Sequence, residues 1–224
     1  QFSQIECKDN AYYVTKGKYQ GIYNLYGSVI IPTQYTSIYK EGGKYLVEND
    51  SLKGIVNTYG STVIPCKYNT IEYEDGVYYV SAGGKYGIYN TYGSTILPCR
   101  YNSVRKEGRE YLVENNGLQG IVNTYGSTII PCRYNKIQQE GNIYYVTANG
   151  KKGIFNRYGS TIIPCQYDEI ISLGHRYIVK RDKKFGVYNQ YGSTILPCQF
   201  QKIECLNNGH YVTTRDKSQQ VYNA

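Results

Sequence analysis

Every proline in this chain falls on one period. Pro32, Pro65, Pro98, Pro131, Pro164 and Pro197 stand 33 residues apart, and Tyr-Gly-Ser triplets starting at Tyr26, Tyr59, Tyr92, Tyr125, Tyr158 and Tyr191 keep the same step. Residues that recur in every unit build a scaffold first, because each unit is one small supersecondary element that buries its face against its neighbours. The sequence therefore speaks clearly about architecture and sparingly about activity.

One copy, residues 68–99, reads as short β-type runs between turn dipeptides. The runs are Thr70–Glu74, Val77–Ser81, Tyr86–Asn90 and Ser94–Leu97, broken at Asp75-Gly76, Gly83-Gly84 and Tyr92-Gly93. Asp-Gly and Gly-Gly supply the positive φ of tight hairpins, and β-branched and aromatic residues fill the runs. No stretch has a helical period of useful length. Each proline is expected to close a strand. The Asn before each Tyr-Gly (Asn24, Asn57, Asn90, Asn123, Asn156 and Asn189) predicts an Asx turn. An aromatic ring follows each Pro-x-x: Tyr35, Tyr68, Tyr101, Tyr134, Tyr167 and Phe200, and rings at one repeated place are expected to nest in a core. The fold class is all-β, with tandem 33-residue antiparallel hairpin or meander repeats over residues 1–224 as a single array.

A weaker period of 66 lies over the first. Residues 40–57 (KEGGKYLVENDSLKGIVN) match residues 106–123 (KEGREYLVENNGLQGIVN), while intervening units carry a different segment. The first and last segments also match: residues 1–7 read QFSQIEC and residues 199–205 read QFQKIEC. That gives seven copies of one half-unit and six of the YGSTIIPC half-unit. Ends that do not sum to a whole unit favour an open, superhelical or rod-like array. The alternative is a propeller-like ring of six or seven blades.

The unit from Gly84 to Tyr101 (GKYGIYNTYGSTILPCRY) resembles the WG β-repeat family, which carries an aromatic-Gly pair, a turn Gly, a hydrophobic-Pro strand end and a following Tyr. The aromatic slot here never holds Trp. It holds Gln20, Lys53, Tyr86, Gln119, Lys152 and Phe185, each followed by Gly (21, 54, 87, 120, 153 and 186). The resemblance implies tandem β-structure, is similar to many extracellular or envelope-associated bacterial arrays, and implies no catalytic activity.

Composition narrows the chemistry. The net charge of +8 is interleaved with acids, as at Lys40-Glu41 and Lys106-Glu107, so no basic stripe marks a nucleic-acid binder. No run approaches the 18 apolar residues of a membrane-spanning helix. There is no Met, even at position 1, which fits removal of a secretory signal and fits a cleaved tag equally. With 29 tyrosines and no Trp, the chain favours half-buried strands and interfaces. No catalytic constellation is present: His175 and His210 lack partners of triad type, and Glu48, Glu72 and Glu114 recur as solvated edge charges. No cofactor is expected, and a cysteine spacing of 33 with two histidines gives no metal site.

Cys66, Cys99, Cys132, Cys165 and Cys198 follow the prolines, where the first repeat has Thr33. Small buried thiols are expected, with bridges between neighbouring repeats as the rival. Cys7 and Cys205 share one slot found in the first and last copies only; interior copies hold Lys40, Tyr73, Lys106, Gln139 and Ser172. They are candidates for a disulfide between subunits placed head to tail, or for one that seals a ring, against two unrelated thiols. Asn49-Asp50-Ser51 is an N-glycosylation sequon on a predicted turn. Ser61, Thr62, Ser94, Thr95, Ser127, Thr128, Ser160, Thr161, Ser193 and Thr194 form a repeated hydroxyl row, which starts strands or carries O-glycan or ligand contacts. The functional expectation is a non-enzymatic structural protein, secreted or at the cell surface, that self-associates head to tail into a fibre or layer. The alternative is a binding module with repeated sites for a glycan or protein.

Overall fold

The computed structural model describes residues 1–206, 209–216 and 218–223. Among these residues there is no helix, and the chain forms six four-stranded sheets and one three-stranded sheet. Each sheet is a meander of strands consecutive in sequence. The first holds Gln4–Lys8, Ala11–Lys16, Tyr19–Asn24 and Val29–Tyr35. The third holds Thr70–Glu74, Val77–Ala82, Lys85–Asn90 and Thr95–Tyr101. The last holds Lys202–Cys205, Tyr211–Arg215 and Ser218–Tyr222. By contacts the chain divides into two compact units, residues 1–106 with 124–126 and residues 107–123 with 127–224.

The prolines do not end strands, contrary to the reading of the sequence. Pro98 lies inside Thr95–Tyr101, the outermost strand of its sheet, where a missing N–H breaks no ladder. The register explains the distortion. Ile88 faces Leu97 and Tyr86 faces Tyr101, so Pro98, Cys99 and Arg100 bulge over the single residue Gly87. A Cβ on Gly87 would sit 2.7 Å from the Leu97 carbonyl oxygen and 2.8 Å from the Cys99 nitrogen. The glycine of the aromatic-Gly pair is thus dictated by the bulge above it.

The turn glycines answer to a different constraint. Gly93 has φ of +90°, and a Cβ there would also drive into the carbonyl oxygen of Val63 in the preceding sheet. Sheets are therefore joined through backbone as well as side chains. The first joint buries Ala11, Ile22 and Ile31 of one sheet against Ile38, Tyr45, Val47 and Val56 of the next. Further along the first unit, Ile55, Ile64 and Tyr68 of one sheet meet Tyr78 and Val80 of the next. In the second unit Ile154, Ile163 and Tyr167 of one sheet meet Tyr177 and Val179 of the next. A buried Ile contributes about 2 kcal/mol by transfer from water, so stability resides in the joints.

The post-proline rings are buried, as their periodicity suggested: Tyr68, Tyr134, Tyr167 and Phe200 sit edge-on to Tyr89, Phe155, Tyr188 and Tyr222. The 66-residue period also has a physical basis. Alternate sheets send a charged residue to the Tyr of the next sheet: Lys44 Nζ donates to the Tyr78 hydroxyl at 3.2 Å, the Tyr144 hydroxyl donates to Glu110, and the Arg176 guanidinium stacks on Tyr211. The intervening sheets have Ala11, Val77 and Ile143 at that position.

Candidate functional site

Three features stand outside the packed joints: the turn tips, the cysteines and the outward faces of the first and last sheets.

Each Asn-x-Tyr-Gly-Ser turn is locked from within. Asn90 Oδ1 accepts from the backbone N–H of Tyr92 at 3.0 Å and of Ser94 at 2.9 Å, while its carbonyl accepts from Gly93 N at 3.1 Å. The Tyr at the tip buries almost nothing. Tyr26, Tyr59, Tyr92, Tyr125, Tyr158 and Tyr191 are between 78% and 94% exposed. The sequence reading counted these rings as scaffold; their place between an Asx residue and a positive-φ glycine is the signal that marks them as tips. Beside them Ser61, Thr62, Ser94, Thr95, Ser127, Thr128, Ser160, Thr161, Ser193 and Thr194 are exposed, with each Thr opening the outermost strand of its sheet. Asn49 is the last residue of strand Lys44–Asn49, just before the Asp50-Ser51 turn, and its Oδ1 is buried.

No disulfide joins any of the seven cysteines. Bridges between neighbouring repeats are not formed, because the repeat thiols are engaged inside their own sheets. Cys66, Cys99 and Cys198 donate to the carbonyls of Leu52, Lys85 and Lys184 at 3.0 Å, and Cys165 to Lys151 at 3.1 Å. Burial pushes the thiols of Cys66, Cys165 and Cys198 above their ordinary pKa, which suppresses the reactive thiolate. Cys7 and Cys205 are exposed free thiols.

The first sheet leaves an apolar cleft of about 300 Å³ lined by Phe2, Ile5, Tyr12, Val14, Tyr23 and Gly27. Adding 33 to five of these numbers gives Ile38, Tyr45, Val47, Val56 and Gly60, which meet the first sheet at the first joint, whereas Phe2 takes the slot of Tyr35, the last residue of the first sheet's own fourth strand. At the other end, Val221 faces Val212 in the register in which Ile22 faces Tyr13. Val221 is 63% exposed, whereas Ile22 is fully buried.

Polar convergence is modest. A groove of about 420 Å³ in the first unit is lined by Glu72, Glu74, Asp75, Tyr86, Arg105 and Lys106 among others, with Lys106 paired to Asp75 at 2.9 Å. Among the described residues no cluster of His, Cys, Asp and Glu could hold a metal ion. His175 Nδ1 lies 2.8 Å from Gln190 Oε1 in an exposed pair. Among the same residues no helix is long and apolar enough to cross a membrane.

The family model for the WG-containing repeat matches residues 54–86 and 185–215. Both WG matches open on the aromatic-Gly pair, at Gly54 and at Phe185, and the first spans one complete period. No curated protein sequence matches the chain. Among solved structures, the WD40 β-propeller domain of Doa1 is similar at 11% identity over 99% of this chain and 93% of that chain, with a TM-score of 0.26. Hsv2p of Kluyveromyces lactis is similar at 13% identity over 84% of this chain and 73% of that one, with a TM-score of 0.28. The AfRom2 CNH domain follows at 9% identity, 99% and 93% coverage, and a TM-score of 0.30. Scores of this size carry no argument about function.

Proposed function

We propose that this protein is a non-enzymatic structural repeat, working outside the cell or at its surface, whose copies join into a strut or layer. One observation carries the reading. Ile5, Tyr12 and Val14 of the first sheet repeat Ile38, Tyr45 and Val47, which are buried at the first joint, and Ile5 is 61% exposed beside an apolar cleft. Exposed apolar surface of that kind is a docking surface in waiting. The repeated architecture supplies rigidity without any unique reactive group, and the extracellular setting is what the WG resemblance implies. The test is sedimentation and negative-stain imaging of the whole chain over a concentration series. Rods or strings that lengthen with concentration are expected, and a monomer at all concentrations would refute the reading.

A second reading is a multivalent binding module, and the six exposed tyrosine tips favour it. An aromatic ring with a hydroxyl beside a Ser-Thr pair suits stacking on sugar rings. Affinity electrophoresis against soluble polysaccharides, comparing the wild type with a Tyr59→Ser, Tyr92→Ser, Tyr125→Ser variant, tests it. Retardation that vanishes in the variant supports the display reading, and no retardation of the wild type removes it.

A further inference from the structure

We infer that the 66-residue alternation builds a carbohydrate-binding cleft at alternate joints, one that takes a ring of a neutral, β-linked oligosaccharide. The site is separate from the tyrosine tips and depends on neither reading above.

The second sheet holds Ser37–Glu41, Lys44–Asn49, Leu52–Asn57 and Thr62–Tyr68. Between it and the third sheet lies a cleft of about 260 Å³, lined by Glu41, Lys44, Leu46, Ile55, Tyr73 and Tyr78. All of these belong to the first unit. Glu41 and Lys44 flank the Gly42-Gly43 turn of one sheet, and Tyr73 lies on the first strand of the next. Both turn glycines have positive φ, and a Cβ on either would meet nothing within 4 Å, so the turn does not crowd the cleft.

The same cleft returns 66 residues later. Adding 66 to Glu41, Lys44 and Tyr73 gives Glu107, Glu110 and Gln139, which line a cleft of about 430 Å³ with Arg109, Asn142 and Arg157. All of these belong to the second unit. The slot of Lys44 and Glu110 sets the spacing, because the sheets in between hold Ala11, Val77 and Ile143 there. Volumes near the lower end of small-ligand sites, which run from about 300 to 1,000 Å³, suit a sugar ring better than a protein face.

The first cleft shows which ligand fits. Lys44 Nζ donates to the Thr91 carbonyl at 2.6 Å and to the Tyr78 hydroxyl at 3.2 Å. Those two bonds fix the ammonium and leave one of its three donors to spend. The Tyr78 hydroxyl, which accepts from Lys44, keeps its own proton to donate. Across the turn Glu41 is exposed, and its carboxylate has no hydrogen-bond or ion-pair partner among the described residues. The Tyr73 ring is 62% exposed, with its centroid 5.0 Å from that of Tyr78, and Leu46 and Ile55 extend the apolar lining.

A small anion entering this cleft meets Glu41, and a small cation meets Lys44. An apolar molecule strips water from both charges without replacing it. A pyranose satisfies every wall. Its C–H face stacks on Tyr73, and its hydroxyls both donate and accept, so neighbouring hydroxyls serve Glu41 and Lys44 together. β-Linked glucose units keep their ring substituents equatorial and so offer the flattest C–H face. The second cleft keeps carboxylates and guanidiniums in balance but has Gln139 where the first has Tyr73. It is expected to hold the same class through hydrogen bonds alone, and more weakly.

The experiment is a saturation-transfer NMR titration of the whole chain with cellohexaose, an uncharged β-linked glucan. Tyr73→Ala, Tyr73→Phe and Glu41→Ala are compared with the wild type. Both sites are exposed, so urea midpoints are expected to stay close to that of the wild type. Tyr73→Ala should weaken binding about tenfold in Kd, and Tyr73→Phe should restore it, because stacking needs the ring and not the hydroxyl. Glu41→Ala should cost about fivefold through the lost acceptor. The Tyr59→Ser, Tyr92→Ser, Tyr125→Ser variant should bind as the wild type does. Binding that neither Tyr73→Ala nor Glu41→Ala changes would overturn the cleft, and a loss confined to the tip variant would move the sugar to the tips. Tighter binding of a galacturonate hexamer or a glucosamine hexamer would overturn the neutral class. No saturation transfer to millimolar cellohexaose would overturn the inference and leave the sedimentation test of the strut reading untouched.

Discussion

Ile5 and Ile38 hold one register in consecutive sheets, and the exposure of the first is 61% against 9% for the second. Both stand at the second position of the first strand of a sheet; what differs is the presence of a sheet alongside Ile38. The comparison teaches that in this protein the environment of a residue is set by the next sheet over, and only secondarily by its own strand. Residues identical in sequence logic therefore have unequal energetic roles.

The largest effect that can test this contrast lies at the turn glycines. Gly27 and Gly93 both have positive φ, but a Cβ on Gly27 meets nothing within 4 Å while one on Gly93 meets the Val63 carbonyl. Gly27→Ala is expected to cost about 1 kcal/mol for the left-handed backbone, and Gly93→Ala roughly 3 kcal/mol or more. Urea titration of the two variants measures both; equal losses would show that the neighbouring sheet does not press on the turn. Next comes the isoleucine pair itself. Ile38→Ala should destabilise by about 2–4 kcal/mol and Ile5→Ala by less than about 1 kcal/mol, read as the shift in urea midpoint at low protein concentration.

The smallest effect sharpens the contrast through pH. Burial first, and then the hydrogen bond to Tyr188, push the Tyr167 hydroxyl up from near 10 to about 12. The folded state then holds this proton more tightly than the unfolded chain does. Its contribution is complete below pH about 10 and is lost as pH rises to about 12. The equivalent ring ahead of the first sheet is Phe2, which sits edge-on to Tyr23 and has nothing to titrate. Tyr167→Phe should flatten the fall in stability across that window, whereas Phe2→Leu should leave its slope unchanged.

Much of the fold was legible because the period is strict. The strand Thr70–Glu74 was read with both ends correct, and the Asx turns followed from the Asn-x-Tyr-Gly spacing. The outermost strand was not legible at full length: Pro98 looked like a stop, and only the sheet order reveals that it lies on an edge where no bond is lost. The alternation of 66 was visible, but its cause was not, since Lys44 and Tyr78 meet only across a joint. For the same reason Gln20 carried no signal in one dimension, since its grip on Ile38 crosses a joint. The exposed tyrosines were hidden by their own regularity, since a residue repeated six times reads as core until a turn is seen beneath it.

That turn has an evolutionary consequence. Asn90 ties the loop and Gly93 absorbs its twist, so the ring of Tyr92 contributes almost nothing to folding. Six such positions can be rewritten one at a time, each with little penalty to the scaffold, which makes the tips the natural place for selection to print a new specificity on an old frame.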